Sequence, residues 1–325
     1  MGARLEQLNH WLRRDLSLPA YEIAPASADA SFRRYFRVSF AGESRIVMDA
    51  PPDKEDIRPF VAIARRLHAM GLHVPEILAE DEGQGFLLLS DLGSRQYLPE
   101  LNAASVERLY GDALGALVTL QVCGPREGEL PPYDHALLLR EMELFREWYL
   151  GRHLNLALGE DEQRLLSETF ELLAMNALEQ PRVAVHRDYH SRNLMICEHN
   201  PGILDFQDAV IGPVTYDLVS LLRDCYIAWP REQVESWVLG YHDLALDSGI
   251  IPQRSEEQFL RWFDLMGVQR HLKATGIFAR LNHRDGKPGY LNDIPRTLGY
   301  VRAVAHSYPE LRRFAEFLDA RVAAT

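Results

Sequence analysis

The feature that most limits what this chain can fold into is a single change of hydrophobic period near residue 92. Before it, short strand-like runs dominate. Tyr35–Phe40 and Arg45–Met48 flank Ala41-Gly42-Glu43-Ser44, which reads as a hairpin turn, and Val74–Leu78 and Phe86–Ser90 bracket the turn-rich Asp81–Gly85. Two helical stripes interrupt this part: Leu5, Leu8, Trp11 and Leu12, then Phe60, Ile63, Leu67 and Met70, the second stopped at Gly71. From about Ala103 the apolar residues recur at three- and four-residue spacing. This predicts helices near 103–122, 134–153, 160–178, 215–228, 231–247, 255–281 and 308–322. Two short strand-like pieces, Arg182–Val185 and Gly202–Leu204, are set among them. The expectation is an α+β fold of two lobes, a small β-rich one over 1–92 and a larger, mainly helical one over 93–325. A length of 325 residues suits two domains or one two-lobed unit.

Charge narrows the partners. Thirty-five basic against 47 acidic residues leave a net charge of −12, the wrong sign for a surface that must meet nucleic-acid phosphates. No apolar run approaches the roughly 18 residues of a membrane span, and the amphipathic start MGARLEQLNHWLRRDL lacks a secretory core. A soluble, cytoplasmic protein is expected, with no obligate protein partner evident. Cys123, Cys197 and Cys225 are odd in number and unclustered, so they indicate neither a disulfide framework nor a zinc site. Lys54, Lys273 and Lys287 are the only lysines, so any chemistry that requires one has three candidates.

The chemistry is concentrated in Val185-His186-Arg187-Asp188-Tyr189-His190-Ser191-Arg192-Asn193, which fits H-R-D-x-x-x-x-N, the catalytic loop of protein-kinase-like phosphotransferases. Twelve residues beyond Asn193, the run Ile203-Leu204-Asp205-Phe206-Gln207-Asp208 supplies an acid after a short apolar strand. Phosphoryl transfer needs a carboxylate facing the acceptor hydroxyl and hard oxygen ligands for a Mg²⁺ ion on the nucleotide phosphates. Asp188 suits the first role, and Asn193 with Asp205 the second. His186 is expected to pack within the loop and not to act as a base. Phe145, Trp148 and Tyr149 read as helix-packing residues.

These motifs, with Gly212-Pro213-Val214-Thr215-Tyr216-Asp217-Leu218 downstream, resemble the aminoglycoside phosphotransferase (choline-kinase-like) branch of the protein-kinase-like fold. No Ala-Pro-Glu triplet follows, which counts against a protein substrate. Ser31–Val38, Met48-Asp49-Ala50-Pro51-Pro52, Gln269–Lys273 and Gly276–Leu281 are similar to a bacterial subgroup. It contains the anomeric sugar kinases of cell-wall recycling, which act at C1 of N-acetylmuramate and N-acetylglucosamine. The resemblance implies an ATP- and Mg²⁺-dependent kinase acting on such a sugar. It further implies a nucleotide site drawing on Ser31, Arg33, Arg34, Leu88 and Asp91, and acceptor contacts from Arg187, His190, Asp208, Arg270 and Lys273, the last two at the rim of the pocket. A kinase of the same fold with an aminoglycoside or another sugar alcohol as acceptor, or a nucleotide-binding pseudokinase, are the alternatives.

The sequence departs from the wider pattern on the nucleotide side. The loop Ser27–Arg34 has no glycine, and the third strand ends Val47-Met48-Asp49 where a kinase offers a lysine. No helix glutamate is evident to pair with such a lysine, Glu55 preceding the apolar stripe. Arg33, Arg34 and Lys54 are the basic groups available to replace it.

Overall fold

A computed structural model describes residues 2–28, 32–253 and 255–322. They divide into two compact units: residues 1–96 with 194–208, and residues 97–193 with 209–325. The segment carrying Asp205 thus groups with the β-rich unit, although it follows the catalytic loop in sequence.

In the first unit, α1 (Ala3–His10) runs on as a wider-wound turn through Asp15 and precedes β1 (Glu22–Ala28), β2 (Arg34–Phe40) and β3 (Glu43–Asp49). Helix α2 (Arg58–Ala69), β4 (Ile77–Asp81) and β5 (Phe86–Ser90) follow. The five strands form one antiparallel sheet in the order β1-β2-β3-β5-β4. The first helical stripe explains itself here: Leu8, Trp11 and Leu12 pack on Val38, Val47, Phe86 and Leu88, which share one face of the sheet because strand side chains alternate. Leu87 and Leu89, on the opposite face, are buried as well. That burial on both faces is why β5 reads as a continuous apolar run. In α2 the stripe Phe60, Ile63 and Leu67 is buried, and Phe60 meets Phe206 of the returning segment with ring centroids 4.9 Å apart. Gly71, at φ 82°, takes the left-handed conformation that ends this helix.

The second unit contains α3 (Tyr97–Glu100), α4 (Val106–Cys123), α5 (His135–Leu144), α6 (Glu160–Leu178), α7 (Tyr216–Leu222), α8 (Arg231–Asp247), α9 (Glu256–Asp285), α10 (Ile294–Ser307) and α11 (Arg312–Arg321). Strand β6 (Arg182–Val185) pairs antiparallel with β9 (Val210–Pro213). The two-residue strands β7 (Leu194–Met195) and β8 (Gly202–Ile203) pair with each other in the first unit. Helix α9, 30 residues long, is the axis of the second unit, packed on by α5, α6, α7, α8 and α10. Its centre is buried on every side, so Gln269, Arg270, His271 and Lys273 lie inside the unit.

Several elements differ from the sequence expectations, which did not include α3, β7 or β9 and carried α7 on to residue 228. Strand β1 and helix α10 were not foreseen, since Pro25 weakens the first as a strand signal and Gly299 the second as a helix signal. The strand placed at Val74–Leu78 begins at Ile77 instead, because Pro75 removes a ladder donor at that edge.

Helices α5 and α9 approach so closely that Gly276 has no room for a side chain: a Cβ there would lie 2.3 Å from the Leu144 carbonyl carbon and 2.5 Å from the Phe145 nitrogen. Gly276→Ala should destabilise the protein by about 1–3 kcal/mol or more in urea unfolding, because backbone must move to admit the methyl. Gly299→Ala on α10, with nothing within 4 Å, should be stabilising by up to about 1 kcal/mol. Equal effects of the two would show that the close approach is not what requires glycine.

Candidate active site

The loop 186–193 leaves β6 and is held from beneath by two buried aspartates. Asp217, on α7, accepts the backbone N–H of His186 at 2.6 Å and of Arg187 at 2.9 Å. Capturing two consecutive amides forces an abrupt bend, and Arg187 adopts φ 78°, a conformation costly for a residue with a side chain. Asp224 accepts the Ser191 amide at 2.9 Å, the Ser191 hydroxyl at 2.5 Å and the Tyr226 amide at 2.9 Å. Within the loop, the Asp188 carbonyl accepts the His190 amide at 3.0 Å and the Asn193 Nδ2 at 3.0 Å. Tyr189 anchors the underside through its hydroxyl, which donates to the Ala113 carbonyl at 2.8 Å. The outcome is a rigid turn presenting Asp188 and Asn193 together.

Burial pushes Asp217 up to about 7, against the two amides that favour its charged form. Asp188 goes the other way. Burial alone would raise its carboxyl, but the surrounding positive field, Lys273 foremost and then His190, Arg270 and His186, holds it below the usual carboxylate range. Asp188 therefore remains an anion, able to accept a hydrogen bond and a proton. Burial lowers His190 against the nearby carboxylates of Asp224 and Asp188; its Nδ1 has no hydrogen-bond partner among the described residues, and the ring meets Tyr226 edge-on at 5.3 Å. His186 is buried, with its Nδ1 facing the Asp188 amide at 3.3 Å, and packs on Tyr189.

Glu141 of α5 is a site residue that sequence reasoning missed. It accepts from the Arg187 guanidinium, from Lys273 Nζ at 3.1 Å and from the Tyr133 hydroxyl, and Lys273 also donates to the Tyr216 hydroxyl at 3.0 Å. The one available signal was a glutamate inside an apolar helix, His135-Ala136-Leu137-Leu138-Leu139-Arg140-Glu141-Met142, beside the buried Leu138 and Met142. Asp224 was missed as well, since an aspartate beyond a short helix has no motif of its own. The rim positions expected for Arg270 and Lys273 are corrected: both are buried, at 6% and 8% exposure, because α9 is enclosed all round. Lys273 is bonded to Glu141, whereas the Arg270 guanidinium meets the Cys225 sulfur at 3.8 Å.

The other expected site residues belong to the first unit. Arg33 pairs with Glu55 at 3.4 Å, both side chains largely buried, and Glu55 also accepts the Phe32 amide at 3.2 Å. An arginine–glutamate pair thus exists where the sequence showed no obvious one. Asp49 is fully buried and binds Arg4 at 2.8 Å and Arg34 Nε at 3.1 Å, so Arg34 is tied to the strand end that carries no lysine. Leu88 directs its side chain into the cluster beneath α1. Asp91 accepts two bonds from Arg37, at 2.6 and 3.0 Å, and the Gly93 amide at 2.9 Å. These bonds outweigh its burial and lower its pKa. Asp205 takes φ 65°, is exposed, and accepts from Gln207 Nε2 at 2.8 Å; Asp208 is exposed nearby. Ser31 lies outside the described residues.

A Mg²⁺ ion prefers hard oxygen donors. The Asn193 side chain of the second unit, whose NH₂ donates to the loop carbonyl, carries a hard amide oxygen, and the Asp205 carboxylate of the first unit is exposed; each is of the donor type the metal takes. Glu141→Ala should destabilise the protein by about 3–5 kcal/mol, measured by urea unfolding, since Arg187 and Lys273 would lose their shared buried carboxylate. A loss below about 1 kcal/mol, the range of an exposed pair, would show that the two cations do not depend on it.

No helix among the described residues is long and apolar enough to cross a membrane. Structural comparison finds the choline kinase LicA from Streptococcus pneumoniae, 13% identical, with a TM-score of 0.63, covering 94% of this chain and 100% of that one. That likeness establishes the two-lobed kinase-like fold. Among curated sequences, proteins named N-acetylmuramate/N-acetylglucosamine kinase from Pseudomonas putida and Pseudomonas aeruginosa are each 49% identical, over 97% of this chain and 96% of theirs. Residues 22–263 match the family described as the phosphotransferase enzyme family. With the pinned catalytic loop, this match means that the chain belongs to the phosphotransferase enzyme family and is a kinase-type enzyme.

Proposed function

We propose that this enzyme transfers the γ-phosphoryl group of ATP to the anomeric hydroxyl of N-acetylmuramate and N-acetylglucosamine, in the cytoplasmic recycling of cell-wall sugars. The observation that carries the reading is the anionic Asp188, fixed in a bent loop by Asp217 and Asp224. It is joined by 49% identity over nearly the whole chain to relatives bearing that kinase name.

In this reading Asp188 accepts a hydrogen bond from the C1 hydroxyl and orients its oxygen toward the γ-phosphorus. As the new C1–O–P bond forms, the bond from the γ-phosphorus to the bridging oxygen of ATP breaks. ADP leaves with that electron pair, and the hydroxyl proton passes to Asp188. An anomeric hydroxyl is more acidic than an ordinary alcohol, so a carboxylate of depressed pKa is an adequate base. Asn193 and Asp205 would hold Mg²⁺, which when bound spreads the negative charge of the phosphates. His190, Arg187 and Asp208 are proposed to contact the acceptor. Arg33, Arg34, Ser31 and the Leu87–Asp91 segment are proposed to serve the nucleotide.

Incubation with ATP, Mg²⁺ and each sugar should yield the sugar 1-phosphate and ADP in equal amounts; phosphate on an aminoglycoside and on neither amino sugar would replace the acceptor assignment. Asp188→Asn should keep the fold and nucleotide binding but lower kcat by about 10²–10⁴ or more. Turnover near that of the wild type would remove Asp188 from the proton transfer. Asp205→Ala should abolish activity at all Mg²⁺ concentrations in a titration, whereas a wild-type response to the metal would take Asp205 out of the ligand set.

A further inference from the structure

Arg187, Lys273 and Arg270 lie beside the catalytic loop within the second unit, and the first two are accounted for. Arg187 and Lys273 share the Glu141 carboxylate. Arg270 is different. It is 6% exposed, its Nε has no hydrogen-bond partner among the described residues, and its guanidinium donates only to the Cys225 sulfur, at 3.8 Å. A thiol is a weak acceptor. A guanidinium buried without a hydrogen-bonded anion is costly, and the nearby carboxylates of Asp188 and Asp224 act on it through charge alone.

Its surroundings place it beside the chemistry. Cys225 lies between Asp224, which clamps Ser191 of the loop, and Tyr226, whose ring is 5.3 Å from His190. The positive charge of Arg270 is also among those that keep Asp188 ionised. Two anions could enter here, the transferring phosphoryl group or a carboxylate on the acceptor. Position along the chain separates them. The match to the phosphotransferase family covers residues 22–263, and Arg270 falls in the part of α9 beyond it. A group outside the common core suits what differs between members, the acceptor.

We propose that Arg270 receives the lactyl carboxylate of N-acetylmuramate and so sets the preference among acceptors, an inference that rests on the amino-sugar reading above. The lactyl ether is carried on C3 of the ring, two carbons from the anomeric hydroxyl, so its carboxylate stays close to the base that serves C1. N-acetylglucosamine lacks this group and leaves Arg270 with its thiol contact alone.

The test varies the substrate as well as the protein. Steady-state kcat/KM is measured for N-acetylmuramate and for its carboxyl methyl ester, with the wild type, Arg270→Gln and Arg270→Lys. In the wild type the acid should exceed the ester. In Arg270→Gln that ratio should fall by roughly 10- to 100-fold, the worth of a hydrogen bond to a charged group, mainly through KM for the acid. Arg270→Lys, which keeps the charge without the planar fork, should give an intermediate ratio. An unchanged ratio with both substrates falling together would overturn the proposal and assign Arg270 to the phosphoryl group or to packing. Should Arg270→Gln fail to fold, a wild-type ratio near one overturns it without the variant. Failure of the wild type to phosphorylate either amino sugar would be seen before any variant is made, and marks instead the loss of the underlying reading.

Discussion

Everything at this site depends on two buried carboxylates bonding to main-chain amides. Asp217 takes consecutive N–H groups from His186 and Arg187, and Asp224 takes the amide and hydroxyl of Ser191. An extended chain points successive amides to opposite sides, so one carboxylate can accept both only if the backbone turns sharply between them. The left-handed Arg187 is the strain of that turn, and the two bonds to Asp217 offset it. The turn then sets where Asp188 is and limits the reorganisation needed when a substrate arrives.

Charge is arranged around the same turn with a clear division of labour. Asp217, the supporting acid, is raised by burial, while Asp188, in the loop whose amides Asp217 holds, is lowered because cations from α9 and the loop itself face it. Two carboxylates joined through one loop thus carry different protonation tendencies. Glu141 makes this possible. By holding Arg187 and Lys273 it fixes the cations in place, and burial does not strip Lys273 of its charge because Glu141 and Tyr216 outweigh it.

The first unit shows a related economy with its scarce lysines. The strand end that would present a lysine in a protein kinase carries Asp49, buried and bound to Arg4 and Arg34. The positive charge near this strand therefore comes from arginines reached from neighbouring elements. Arg33, with Glu55, is the second such arrangement.

The sequence by itself determined the two-part architecture, because a period of two before residue 92 and of 3.6 after it admits little else, and its motif spacing singled out Asp188, Asn193 and Asp205 as the candidates. Strand β5, strand β6 and helix α8 fell where their apolar patterns put them. Neither Glu141 nor Asp224 was legible, since their partners are 46 and 33 residues away and no local pattern marks a carboxylate whose role is to meet a distant amide or guanidinium. Nor was the burial of Arg270 and Lys273: at helical spacing a cation reads as a solvated face, and only the packing of five helices around α9 made that face interior. Local order is written in periodicity, because side-chain direction repeats with the backbone. Which charge is buried, and against what, is decided only when the chain closes on itself.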